Sequence, residues 1–270
     1  MLTSNLPAVV ILWIAHQLVT IAEQVLAFVR WIRRNARSWS NHRVQTRLSG
    51  RKQSHLENDM IELAVRKLDK IPSHIAIMLG PEVPNYHQLA QFIFWSLAAG
   101  VGYVSFYDHR GTLKTNYHRM LDYVRRQSRD DGDQILWTPE LKPTDRLLPA
   151  RNGFRRRAVI SFFGPEDGKR QLLAATRTIT SGLRDGSITA ASDVTVELVD
   201  RTLQDSTFHI PDPELAVYFG SICCTYGMLP WQIRLTEFVP LEAPSLAEVG
   251  PAHFLNCLFQ YAKCEQRFGK

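Results

Sequence analysis

His74-Ile75-Ala76-Ile77-Met78-Leu79 is the stretch that decides the fold. Six residues of nearly unbroken apolar character, closed by Gly80-Pro81, read as a strand buried on both faces. A strand with no polar face belongs inside a sheet covered by helices, and that is the parallel arrangement. The neighbouring sequence agrees. Helical spacing at Ile61, Leu63, Ala64 and Leu68 predicts a helix over 60–68, ended by Pro72, and a second helix follows over 86–99. Further strands are expected at 102–107, 158–163 and 215–219, with helices at 116–126, 169–183 and 194–203. Strands separated by helices make an α/β protein with a central, mostly parallel sheet flanked by helices. The segment 130–157, rich in Asp, Pro and Arg, is loop-like with room for one short strand at 134–137. Phe254, Leu255, Leu258 and Phe259 recur at helical spacing, so a helix brings the chain to its end.

The formal charge of +6 invites a nucleic-acid reading, but its distribution argues against one. Between Gln24 and Leu56 stand seven Arg, one Lys and no acid, which gives that window +8. The other 24 basic residues face 26 acidic ones, so the remainder is slightly negative. Basicity therefore belongs to one segment and is not a face of the folded domain, and no nucleic-acid partner is expected. Cys223, Cys224, Cys257 and Cys264 have no CxxC spacing and no partnering His pattern. Cys257 and Cys264, seven apart on the final helix, are expected to be small buried thiols on one face. A reducing, cytosolic setting follows for this domain.

Residues 7–29 hold no Lys or Arg and are long enough to cross a bilayer with some tilt. His16, Gln17, Thr20, Glu23 and Gln24 gather on one stripe, so an amphipathic helix lying in the interface is the alternative. The positive residues follow the apolar run at Arg30, Arg33, Arg34 and Arg37, which places the C-terminal side in the cytosol. Order along the chain is then a short N-terminus at 1–6, a transmembrane helix at 7–29, a basic juxtamembrane linker at 30–56 and a folded domain at 57–270. The linker suits anionic headgroups of membrane lipid, though such runs are also simply solvated.

The chain finishes Glu265-Gln266-Arg267-Phe268-Gly269-Lys270. Arg267 offers a planar fork of donors that matches phosphate oxygens. Gly269 lets a backbone N–H approach an anion with no side chain in the way. Lys and Arg in a last turn followed by Gly are equally how ordinary helices end.

Residues 261–270 (YAKCEQRFGK) and 212–237 (DPELAVYFGSICCTYGMLPWQIRLTE) carry a resemblance to the cis-prenyltransferase family. Within it they are similar to the accessory subunits of complexes that make long polyprenyl diphosphates. The resemblance extends over roughly residues 61–270. It implies the α/β sheet already read, and it implies two diphosphate sites that this sequence lacks. Catalytic members end the first strand Met-Asp-Gly, where the Asp holds magnesium and the allylic diphosphate. Here the run is Met78-Leu79-Gly80-Pro81-Glu82, and Leu cannot ligate a hard cation. Glu82, three positions into a proline-bounded loop, is a poor substitute. Their second run, Arg-Thr-x-Gly-Glu-x-Arg-Leu-Ser, corresponds to residues 218–226, which contain no Arg. Leu229-Pro230-Trp231-Gln232 keeps the family's Leu-x-Trp-Gln pattern, part of the segment supporting the dimer face, and Glu237 keeps its later acid.

The resemblance thus implies a subunit that is inactive alone and pairs with a catalytic dehydrodolichyl diphosphate synthase subunit. It lends Arg267 and Gly269 to the partner's site. Farnesyl and isopentenyl diphosphate would be the substrates there, with Mg2+ held mainly by the partner. Dolichol synthesis for protein glycosylation at the endoplasmic reticulum membrane is the implied setting. A scaffold or receptor of the same fold, and a self-sufficient enzyme with a relocated site, are the rival readings. Other motifs do not compete. Gly164-Pro165-Glu166-Asp167-Gly168-Lys169 is one residue short of a P-loop, has Arg170 where Ser or Thr is needed, and reads as an acidic turn before a helix. Asp108-His109-Arg110-Gly111 reads as a strand-end turn. His87, His118, His209 and His253 form no ligand pattern, and Gly220-Ser221 lacks a hydrolase elbow.

Overall fold

The apolar run at 74–79 is a strand, β1 (His74–Leu79), with every residue buried. In the computed structural model, described for residues 50–127, 132–141, 156–205, 210–219, 222–243 and 245–265, it sits inside a six-stranded sheet. The others are β2 (Tyr103–Asp108), β3 (Asp133–Trp137), β4 (Arg156–Phe163), β5 (Leu215–Phe219) and β6 (Glu237–Leu241). Their order is β3-β4-β2-β1-β5-β6, and all pairings are parallel. The helices are α1 (Gly50–Val65), α2 (Tyr86–Ala99), α3 (Thr112–Thr115), α4 (Tyr117–Gln127), α5 (Lys169–Asp185), α6 (Val196–Asp205) and α7 (Pro251–Lys263). Residues 1–53 and 54–270 fall into separate units, and the sheet belongs to the second. The segments 1–6 and 7–29 lie outside the described residues, among which no helix is long and apolar enough to cross a membrane.

Side-chain alternation divides the sheet into two unequal faces. Ile75, Ile77 and Leu79 point into the larger core together with Val104, Phe106, Ile160, Phe162 and Val217. Helices α1, α2, α4 and α7 cover that face through Ile61, Phe92, Trp95, Leu121, Phe254 and Leu258. The opposite face carries Ala76, Met78, Tyr107, Phe163 and Ala216, a smaller cluster closed by Met228 and Leu229. Its polar members are paired. His74, fully buried, has its Nδ1 2.6 Å from the Pro211 carbonyl and its Nε2 2.7 Å from Ser105 Oγ. Since a carbonyl only accepts, Nδ1 carries the proton and the Ser105 hydroxyl donates to Nε2. Burial lowers the His74 pKa to about 4, against the opposing pull of the Pro211 bond and of Glu214.

Helix α2 has the bounds its sequence predicts because both caps are present. The Asn85 side chain accepts from the Gln88 N–H, and Gly100, at φ 82°, takes the left-handed conformation that closes the last turn. Helix α1 begins at Gly50, well before the expected residue 60, and stops at Val65. The strand β6 went unpredicted. Its Pro240 has no N–H to donate, and an edge strand tolerates that loss. Cys257 is buried as expected, whereas Cys264 is a correction. It sits at the C-cap of α7, half-buried, with Sγ 3.4 Å from the Gln260 carbonyl. Cys223 and Cys224 are exposed.

Candidate functional site

In an open parallel sheet, ligands bind outside the carboxyl ends of the strands. Here that rim is built by Gly80 after β1, Asp108 at the end of β2, and 164–168 after β4. Three groups at this rim are already engaged. The Gly80 N–H donates to Glu82 Oε2 at 2.8 Å, so an internal carboxylate stands on the amide that would otherwise face an anion. Asp108 accepts from the N–H groups of Thr112 and Leu113 at 2.8 and 3.0 Å, and so caps α3. The strand-end turn read at 108–111 is present, its Gly111 N–H donating to the Asp108 carbonyl at 3.1 Å, and it leads directly into α3. Lys114 Nζ lies 2.7 Å from Asp167 and 3.2 Å from Glu166. Asp167 also accepts from the Gly164 N–H at 2.8 Å, so the acidic turn at 164–169 is a short helical turn locked by its own carboxylate.

A loop from beyond β5 closes the rim. Tyr226 and Gly227 have φ of 49° and 80°, and the Met228 N–H bonds to the Thr225 carbonyl at 2.9 Å. Two consecutive positive φ values with that bond make a type I′ turn, an unusual conformation for a tyrosine. The turn lays the Tyr226 ring against Gly80, where even a Cβ would come within 2.7 Å of the phenol oxygen. His109 packs its ring over Tyr226 at 5.3 Å, and the Tyr107 hydroxyl donates to the Tyr226 carbonyl at 2.7 Å. On the far side, a Cβ at Gly168 would stand 2.1 Å from the Gly227 carbonyl oxygen. The turn thus lies over Gly80 and Gly168 at this rim.

Burial first, and then the charges of Asp108, Glu166 and Asp167, push the Tyr107 hydroxyl up to about 12. Burial works against the charge of Lys114, yet its bonds to Asp167 and Glu166 outweigh that and hold its pKa above the ordinary value. Magnesium does not fit this donor set. Leu79, at the position where the resemblance expects a carboxylate, is fully buried in the core. The oxygens of Asp108 are taken by backbone N–H groups and those of Asp167 by Lys114 and Gly164, while one oxygen of Glu82 is held by Gly80. Among the described residues no group of His, Cys, Asp and Glu could hold a metal ion.

The segment matching the family's Leu-x-Trp-Gln pattern is pinned to α6. Trp231 Nε1 donates to Asp200 Oδ1, and the Arg234 guanidinium lies 4.0 Å from the Trp231 ring centre and 3.8 Å from Asp200. Arg267 and Gly269 lie outside the described residues. Their point of departure does not. The carbonyl of Cys264 accepts from Lys70 Nζ, which also sits 4.6 Å over the Tyr261 ring. Tyr261 donates its hydroxyl to Glu214 Oε2 at 3.0 Å, and Glu214 in turn accepts from the Ser73 N–H and hydroxyl at 2.8 and 2.9 Å. Lys70 and Ser73 precede β1 and Glu214 precedes β5, so α7 ends at the amino ends of the strands, opposite the rim that the turn covers. Sequence reasoning found the missing carboxylate at Leu79. It missed Tyr226, Tyr107 and Lys114, whose roles come from one loop folding onto strands distant in sequence.

No family model matches the chain. Over 208 residues it is 33% identical to the dehydrodolichyl diphosphate synthase complex subunit Nus1 of Mus musculus, covering 76% of this chain and 68% of that protein. The Homo sapiens dehydrodolichyl diphosphate synthase complex subunit NUS1 is 32% identical over 213 residues, covering 76% and 69%. Among solved structures, lavandulyl diphosphate synthase from Lavandula x intermedia, in complex with dimethylallyl diphosphate, superposes with a TM-score of 0.52 at 17% identity. That match covers 74% of this chain and 99% of the enzyme, and it shows a shared fold. With identity at this level across two thirds of its relatives' length, the chain belongs to the family of dehydrodolichyl diphosphate synthase complex subunits.

Proposed function

We propose that this protein is the accessory subunit of a heteromeric cis-prenyltransferase, and that it contributes to the reaction only through its tail. The observation that carries the reading is the opposition of two sites on one sheet. At the carboxyl ends of the strands Gly80 is covered by the Tyr226 ring and bonded to Glu82, and Lys114 is paired with Glu166 and Asp167. At the amino ends α7 releases the terminus beside Lys70. Three residues beyond Cys264, the backbone of Arg267 reaches at most ~11 Å, whereas β1 alone is ~20 Å long. Departure from the opposite rim favours Arg267 serving a neighbour over the chain's own crevice.

In this reading the partner is a catalytic dehydrodolichyl diphosphate synthase subunit, which binds farnesyl and isopentenyl diphosphate and holds Mg2+ in its own site. Arg267 binds a substrate diphosphate, and the Gly269 N–H adds a donor. As the carbon–oxygen bond of the allylic diphosphate breaks, charge grows on the departing pyrophosphate, and fixed donors there lower the barrier. Residues 7–29 form the membrane helix and 30–56 the lipid-facing basic linker. They hold the domain, 57–270, on the cytosolic face of the endoplasmic reticulum, where an increasingly apolar product for dolichol and glycosylation must be delivered.

The test is Arg267→Ala in the reconstituted pair, assayed for isopentenyl incorporation. Turnover should fall by roughly 10²–10³, the usual loss for one such donor, with pairing intact. Unchanged turnover with intact pairing would make the protein a scaffold. Turnover by this chain alone, with magnesium and both substrates, would mean a relocated site.

A further inference from the structure

A tail that acts in another protein's site must leave its own domain from a fixed point and in a fixed direction. Helix α7 ends without a Gly cap. Cys264 turns straight into extended backbone at φ −73° and ψ 126°, and its own N–H bonds back to the Tyr261 carbonyl at 3.0 Å. The last carbonyls of a helix have no partners inside it and carry partial negative charge, so a terminal turn of this kind frays unless something holds it. What holds it is remote in sequence. Lys70 donates to the Cys264 carbonyl while its ammonium covers the Tyr261 ring at 4.6 Å. Tyr261 is fastened from its other end to Glu214, whose carboxylate also receives both donors of Ser73. Burial and the Glu214 carboxylate raise the Tyr261 pKa, so the hydroxyl keeps the proton it donates.

We infer that Lys70, with Tyr261 and Glu214 behind it, is a positioning residue for prenyl transfer: it clamps the Cys264 carbonyl and so aims Arg267. This rests on the reading that the tail enters the partner's site. Only Glu265 and Gln266 stand between the clamped Cys264 and Arg267 in sequence, so the clamp sets the point from which the guanidinium sets out, and misplacement of a reacting group by about 1 Å costs up to about 10²-fold in rate.

The experiment is a mutant cycle in the reconstituted complex, with kcat, the KM for isopentenyl diphosphate and pairing measured for each variant. Lys70→Met keeps the stem and removes the donor. It should lower kcat about tenfold or more with pairing and melting temperature held, and Lys70→Arg should restore most of the rate. In the Arg267→Ala background, Lys70→Met should cost nothing further, because there is no guanidinium left to aim. If Arg267→Ala lowers turnover but Lys70→Met does not, or if the two losses multiply, the clamp has no part in aiming the tail and the inference fails. If Arg267→Ala itself leaves turnover unchanged, the reading beneath it has failed instead. A loss of pairing or melting temperature in Lys70→Met that matches its loss of rate would reduce Lys70 to a structural helix cap.

Discussion

The hydroxyl of Tyr107, on β2, donates to the carbonyl of Tyr226 at 2.7 Å, and this bond fixes the turn that lays the Tyr226 ring on Gly80. Behind the turn lies a small core, with Met228 and Leu229 buried. The proposed inactivity of this chain alone therefore rests on more than the absence of a carboxylate.

Restoring that carboxylate should fail. Leu79 is fully buried among apolar side chains, so Leu79→Asp places an ionisable group where nothing is arranged to receive it. The variant should lose on the order of 3–5 kcal/mol in urea unfolding and gain no prenyl transfer by the chain alone. Turnover by the purified variant would mean that the crevice is open.

Gly168→Ala tests the close approach of the turn. The added Cβ would meet the Gly227 carbonyl oxygen at 2.1 Å, and backbone on both sides must move. A loss of about 1–3 kcal/mol is expected, with faster amide hydrogen exchange at 226–228 than in the parent protein. An unchanged exchange pattern would mean that the turn is not held from this side.

Stability should depend on pH through His74. Its folded pKa, about 4, lies below the ordinary 6.5, so between these values the unfolded chain binds a proton that the folded chain refuses. Stability then falls as the pH drops through that window, by on the order of 2 kcal/mol from pH 7.5 to pH 5. His74→Gln should flatten this part of the profile, as read by urea unfolding at the two pH values. Identical profiles for the two proteins would place the titration elsewhere.

Phe254→Ala tests how α7 is docked. The ring is fully buried, 6.1 Å from Phe92 and 6.0 Å from Trp95, so truncation should cost about 3–5 kcal/mol in equilibrium unfolding. A loss below about 1 kcal/mol would mean that the helix is held chiefly by its polar end.

Much of the sheet could be read directly, because β1, α2 and β5 carry unambiguous local signals. Continuous apolar runs mark the two strands, and Asn85 and Gly100 mark the helix ends. Strand β6 could not be read. Glu237 and Pro240 lower its strand character, and it forms by pairing with β5 from Leu215–Glu237 to Phe219–Leu241. The site divides in the same way. Leu79 in place of an acid is visible in the sequence, whereas a tyrosine with positive φ exists only because strands β1 and β2 already offer Gly80, Tyr107 and His109 to receive it. The clamp on Cys264 is likewise a contact between residues 194 apart, which no local pattern announces.

The two rims of the sheet divide the consequences of substitution. A substitution near Tyr226 should act through abundance: less protein survives, and what survives works normally. A substitution near Lys70 should leave normal amounts of a complex that turns over slowly.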